Sequence, residues 1–153
     1  MNFTPRKAEN PASSKLMSFP EVSQYMATDE VTLQPELTIN EAIDVLLNFK
    51  VTGVPVLDAE RKIVGMLTEK DCLRLIIDSA YNNLPYEDKR VSDYMSAVVK
   101  TISIDSDILD VANEFLTTNF RKFPVVNEHG RLMGQVSRRD ILKAIRDIKN
   151  TTW

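Results

Sequence analysis

Val22-Ser23-Gln24-Tyr25-Met26 returns as Val91-Ser92-Asp93-Tyr94-Met95, and a shift of about 69 residues keeps everything downstream in register without a gap. A repeat of that length describes one supersecondary unit used twice. Outward from these openings, Ile39, Ala42, Ile43, Leu46 and Leu47 fall on i, i+3, i+4, i+7 and i+8. Ile108, Val111, Ala112, Phe115 and Leu116 repeat that spacing, so each set predicts a helix that is apolar on one side. Thr38 with Glu41, and more weakly Asp107 with Asp110, form capping-box starts, in which a short side-chain oxygen and an acid three residues on satisfy amides that the first turn leaves unpaired.

Each helix leads into a short apolar strand, Val54-Pro55-Val56-Leu57 or Phe123-Pro124-Val125-Val126. A turn follows, Asp58 to Lys62 or Asn127 to Arg131, and then a second strand, Ile63 to Leu67 or Leu132 to Val136. Thr68-Glu69-Lys70-Asp71 and Ser137-Arg138-Arg139-Asp140 open closing helices that run through Leu73 and Ile76, and through Leu142 and Ile145. The expected fold class is therefore α+β, two β-α-β-β-α repeats packed with pseudo-two-fold symmetry, because one unit alone would leave an apolar sheet face open. The expected boundaries are an N-terminal arm at 1–20, repeat 1 at 21–80, a linker at 81–90, repeat 2 at 91–149 and a tail at 150–153. Pro5, Pro11 and Pro20 punctuate the arm, which is read as mobile, and Asn82, Asn83 and Pro85 mark the linker as a loop.

Composition narrows the function. The 153 residues carry a net charge of −3, without the basic stripe that displaces counterions from nucleic-acid phosphates, so no nucleic-acid partner is expected. Cys72 is the only cysteine, which excludes an internal disulfide and a Cys-rich zinc cage and suits a reducing cytoplasm. No window approaches the roughly 18 apolar residues of a membrane span, and Met1 to Ser18 lacks the apolar core of a secretory signal. The expected location is cytoplasmic. His129, the only histidine, falls in a hairpin turn and reads as solvent-facing, while Cys72 reads as a buried, inert thiol. With no P-loop, Gly-rich dinucleotide fingerprint or His-carboxylate metal pair, nothing indicates an enzyme or a bound metal.

The two hydroxyl-x-x-Asp corners, Thr68 with Asp71 and Ser137 with Asp140, have an ordinary reading as helix caps. Each also follows a strand holding a glycine, Gly65 or Gly134, where a missing side chain admits a ligand or a helix close to the backbone. Helix N-terminal amides and a hydroxyl can meet a phosphate or ribose oxygen, and an ionised Asp can accept from both ribose hydroxyls. Capping and binding are compatible. The Pro55 and Pro124 strands could supply a flat slot for a base.

These features together, the Val-Ser-x-Tyr-Met openings, the Val54-Pro55-Val56 and Phe123-Pro124-Val125 strands, the two glycines and the two corners, resemble a pair of cystathionine β-synthase (CBS) domains, a Bateman module, over Val22 to about Ile148. The resemblance implies a regulatory module that needs no cofactor for chemistry and binds an adenosyl ligand, AMP, ADP or ATP, between its repeats. It implies crossed clefts, one combining Thr68 and Asp71 with Arg121 and Lys122, the other combining Ser137 and Asp140 with Thr52 and Gly53. Arg121 and Lys122 favour the Asp71 cleft for phosphate, with Lys70, Arg138 and Arg139 as further cations near the corners. It also implies a homodimer formed through helices and output through an effector protein. S-adenosylmethionine or NAD as ligand, a ligand-free dimerisation scaffold and a weak hydrolase are the alternatives.

Overall fold

Thr38 Oγ1 accepts from the Glu41 amide at 3.1 Å, and the Thr38 amide donates to Glu41 Oε1 at 2.9 Å. This reciprocal cap starts α1 (Ile39–Phe49), and the same arrangement starts α2 (Glu69–Asn82) from Thr68 and α4 (Ile108–Thr117) from Asp107. Donation from the Thr38 amide and from the Thr38 hydroxyl to Glu41 Oε1 holds the Glu41 carboxyl below its ordinary pKa. Between the helices lie β1 (Gly53–Leu57) and β2 (Ile63–Thr68) in repeat 1. Repeat 2 adds α3 (Val91–Tyr94), β3 (Ile102–Ser103), β4 (Lys122–Val126), β5 (Leu132–Ser137) and α5 (Arg138–Thr152). The structure, a computed structural model, describes residues 18–28, 30–83 and 88–152. Most of the expected arm, and Pro85 of the linker, lie outside that set.

Helix and strand alternate as expected, in two hairpins. β1 and β2 are antiparallel, as are β4 and β5, and β3 lies parallel to β4. In repeat 1 the counterpart of β3 is a single parallel bridge from Leu33 to Val56. The reason is local: the Ile104 amide continues the repeat 2 ladder to Val126 O at 2.8 Å, and its counterpart, Pro35, has no amide hydrogen to donate. Two further differences concern the helices. α2 continues to Asn82, ending where Asn83 takes a left-handed φ of 53°, so the start of the expected linker is helical. α5 likewise continues to Thr152, into the expected tail.

The apolar residues form two cores, and each core takes in the opening segment of the other repeat. Val91 is fully buried with Ile39, Val56 and Leu67, whereas Val22 is fully buried with Ile108, Phe123 and Val136. Burial of each valine stabilises by about 1.5–3 kcal/mol. The backbone fixes the exchange: the Ala27 and Gln135 amides each donate to the other's carbonyl, at 2.8 and 2.9 Å, and Ser96 and Met66 do the same, both at 2.9 Å. Tyr25 Oη donates to Asp147 Oδ2 and Tyr94 Oη to Asp78 Oδ2, both at 3.0 Å, joining each opening to the other repeat's closing helix. The boundaries at 21–80 and 91–149 therefore follow the sequence repeat, and the packed bodies cross them.

Gly65 and Gly134 serve this exchange. A methyl group on Gly65 would fall 2.9 Å from Ser96 O, and one on Gly134 would collide with Ala27 O and lie 3.0 Å from Met26 Sδ. Where a ligand or a helix was expected to approach, these glycines instead meet the segment just past the other repeat's opening turn, Met95-Ser96 or Met26-Ala27.

The closing helices turn one edge of their apolar residues inward, with Cys72 buried as expected. Cys72, Leu75, Ile141 and Ala144 face the cores, while Leu73, Ile76, Leu142 and Ile145 are between 50% and 64% exposed. The apolar stripe of each helix is wider than its contact with the core, so periodicity alone does not say which edge of the stripe packs inward. Leu47 and Leu116, the last members of their predicted apolar sets, are also exposed.

Candidate functional site

Side chains alternate across a strand, so pairing register decides which residues look into the space between the repeats. Val54, Val56 and Leu67 on one hairpin and Phe123, Val125 and Val136 on the other supply the cores. The opposite faces carry Gly53 paired with Thr68 and Pro55 with Met66, then Lys122 with Ser137 and Pro124 with Gln135. A cavity of about 460 Å³ opens there, lined by Thr52, Gly53, Met66, Thr68, Glu69 and Lys70 of repeat 1 and Asn119, Phe120, Arg121, Lys122 and Gln135 of repeat 2. That volume lies within the roughly 300–1,000 Å³ usual for small-molecule sites. Lys70, Arg121 and Lys122 set three cations against the single carboxylate of Glu69.

The expected contributors divide as follows. Thr68, Arg121 and Lys122 line this one cavity together. Thr52 and Gly53, expected to complete a second cleft with Ser137 and Asp140, line it too, because antiparallel pairing places Gly53 opposite Thr68. Asp71 sits behind Thr68, 7% exposed. Its Oδ2 accepts from Thr68 N at 2.8 Å and Thr68 Oγ1 at 3.0 Å, and its Oδ1 meets Arg74 Nη1 at 3.1 Å. Asp140 caps α5 in the same way, with Oδ2 accepting from Ser137 N at 2.8 Å and Ser137 Oγ at 2.9 Å. Its Oδ1 has no hydrogen bond or ion pair among the described residues. Arg138 does not line this cavity; it donates to Phe120 O at 3.0 Å, with its guanidinium carbon 6.0 Å from the Phe115 ring centre. Arg139 is exposed.

Gln135, Met66, Asn119 and Phe120 were not singled out from sequence. Counting back two residues from Thr68 and Ser137 along a period of two would have reached Met66 and Gln135. Asn119 and Phe120 lie in the irregular segment before β4, where no period applies.

The remaining sequence candidates lie away from the cavity. His129 is an exposed turn residue 3.6 Å from Glu128. Cys72 is buried, and burial followed by the Asp71 and Glu69 charges pushes its thiol pKa up, so it carries little nucleophilic thiolate. Among the described residues, no group of His, Cys, Asp or Glu could hold a metal and no helix is long and apolar enough to cross a membrane. A second groove, of about 200 Å³ and lined by apolar side chains such as Phe19, Leu109 and Ile145, lies along α4 and α5 and offers nothing to a phosphate.

Residues 22–78 and 91–147 each match the CBS domain family. A 17.7 kDa protein of Acidianus ambivalens is 32% identical over 127 residues, covering 83% of this chain and 74% of that protein. Inosine-5'-monophosphate dehydrogenase of Aquifex aeolicus is 34% identical over 119 residues, covering 77% of this chain, which spans only 23% of the dehydrogenase. Among solved structures, CBSX2 of Arabidopsis thaliana in complex with AMP superposes with a TM-score of 0.74 at 28% identity, covering 85% of this chain and 98% of that one. Two matched segments in tandem and the shared fold place this chain in the CBS domain family, as a CBS pair.

Proposed function

We propose that this CBS pair is a non-catalytic regulatory module that binds an adenine nucleotide, AMP, ADP or ATP, in the cleft between its repeats. The observation that carries the reading is the cavity that spans both repeats, with Lys70, Arg121 and Lys122 beside the start of α2. Helix N-terminal amides and cations together suit a phosphate. The AMP complex of CBSX2, a relative of the same fold, supports the adenine part. A ligand held from both sides favours one relative arrangement of the repeats, and an effector protein can respond to that arrangement. The Asp71 corner is the stronger phosphate site, since its cavity holds both Arg121 and Lys122. The exposed Leu73, Ile76, Leu142 and Ile145 provide the surface for a helix-mediated homodimer in a cytoplasmic setting.

A second reading, a ligand-free dimerisation scaffold, draws on Asp71, whose two oxygens are already engaged by Thr68 and Arg74. Native mass spectrometry of freshly purified protein and a thermal-shift panel of AMP, ADP, ATP, S-adenosylmethionine and NAD separate the two. A nucleotide at a hundred times its Kd adds about 2.7 kcal/mol and raises the melting temperature. No shift with any of the five rejects the sensor and leaves the scaffold.

A further inference from the structure

The apolar groove along α4 and α5 of repeat 2 is not matched in repeat 1. Phe19, Leu109 and Ile148 help to line it, and the repeat shift puts Asp88, Asn40 and Ser79 at the same three positions of the other half. The repeat therefore folds with polar groups there, and the apolar lining is particular to one side of the molecule. Leu109 and Ile145 in this groove are 42% and 50% exposed, an arrangement that gains stability when another apolar group covers it.

The chain itself enters at one end of the groove. Glu21 bridges Asp107 antiparallel, and the Ile108 amide donates to Pro20 O at 3.0 Å, so successively earlier residues lie beside successively later positions of α4. Phe19, the next residue, packs on the repeat 2 core and forms a wall of the groove. Met17 stands four residues ahead of Glu21, about 13 Å of extended chain, and α4 covers about the same length from Asp107 to Leu116. Leu16 and Met17 are thus within reach of the whole groove. The residues before them, Ser13-Ser14-Lys15, are polar, so the stretch able to cover an apolar surface is Leu16 to Phe19.

We propose that Leu16 and Met17, from the chain's own N-terminal segment, occupy this groove as a strap along α4 and α5. The strap extends the exchange by which the opening of repeat 1 already packs into repeat 2, and it gives the apolar lining a use that Asp88, Asn40 and Ser79 do not serve in repeat 1. The inference is independent of nucleotide binding. Ile145 also belongs to the surface proposed for a homodimer, so a second copy is the rival occupant, and the test separates the two.

Two measurements on the full chain test the strap. Leu16→Ser/Met17→Ser should lower the melting temperature by about 4–8 °C, whereas Lys15→Ser should leave it within about 2 °C of wild type. In a Cys72→Ala background, a short bismaleimide should join Leu16→Cys to Ile145→Cys within one chain. It should not join Leu16→Cys to Ile76→Cys, the counterpart position on repeat 1. An unchanged melting temperature in the double serine variant overturns the strap, as does cross-linking that is equal at the two positions or absent from both. A cross-link to Ile145→Cys at the mass of two chains also overturns it and assigns the groove to a second copy.

Discussion

Lys62 and Arg131, the same position in successive repeats, form an antiparallel bridge with each other. The Ile63 amide donates to Gly130 O at 3.4 Å and the Leu132 amide to Arg61 O at 3.0 Å on either side of it. A position that pairs with its own counterpart lies on the symmetry axis, so the pseudo-two-fold passes between these residues. The other bridges between the repeats come in matched couples around it: Glu21 with Asp107 and Arg90 with Thr38, Ala27 with Gln135 and Ser96 with Met66. The repeats are joined by exchanged segments as well as by the bridge at Lys62 and Arg131.

One consequence concerns cooperativity. With Val22 in one core and Val91 in the other, neither repeat can lose its packing and leave its partner complete. Urea denaturation should give coincident transitions by circular dichroism and tyrosine fluorescence, and Val22→Ala should lower the unfolding free energy of the whole protein by about 1–3 kcal/mol, moving both transitions together. Two separated transitions would show that the repeats fold independently.

The glycine pair gives a second. Gly65→Ala and Gly134→Ala push a methyl group into Ser96 and Met95, or into Ala27 and Met26, and each should cost about 1–3 kcal/mol. Gly53→Ala, whose added carbon meets only ordinary contacts beginning at 3.4 Å, serves as control and should change stability by less than about 0.5 kcal/mol. Equal effects at all three positions would contradict the close approach.

The tyrosine latches predict a pH dependence. Burial, then the hydrogen bond to Asp147 or Asp78, raises the pKa of Tyr25 and Tyr94 above the ordinary value of 10.0. The folded state thus holds these protons more tightly than the unfolded chain. Their contribution is complete below about pH 10 and is lost as pH rises through the raised folded value. Tyr25→Phe and Tyr94→Phe should each cost about 1 kcal/mol at neutral pH, roughly additively since they share no partner. The double variant should lose less stability than wild type between about pH 9 and pH 11. Parallel alkaline limbs in the two proteins would remove the latches from the account.

The two corner aspartates should differ when deleted. Asp71→Ala removes a cap and an ion pair from a buried position, whereas Asp140→Ala removes a half-buried cap without a cation partner among the described residues. Ligand-free unfolding should register about 2 kcal/mol for the first and about 1 kcal/mol for the second. The reverse order would count against the Arg74 contact.

Much of this was legible in sequence. Helical periods, the hairpin strands, the caps at Thr38, Thr68 and Asp107, and the repeat itself follow from local spacing and local hydrogen bonding, and the structure has them, except that the opening strand of repeat 1 is reduced to one bridge and Leu47 and Leu116 are exposed. The exchange was not legible, because a shift of about 69 residues looks the same whether Val22 packs on its own repeat or on the next. Nor was the inner face of α2 and α5, since Cys72 and Leu75 are no more apolar than Leu73 and Ile76. For the site, spacing picked out Thr68 in its hydroxyl-x-x-Asp corner, and the resemblance to CBS pairs, rather than spacing, brought in Arg121 and Lys122. That Thr52 and Gly53 share their cavity depends on strand register and on how the hairpins meet, which are tertiary facts.

Calorimetric titration of AMP at low salt into the wild-type protein and the Arg121→Ala/Lys122→Ala double variant tests the central claim most directly. The account predicts saturable binding to wild type and a loss of about tenfold or more in the variant, whose ligand-free stability stays close to wild type because both side chains are exposed. Equal affinity in the two proteins, or no binding to wild type, would contradict it.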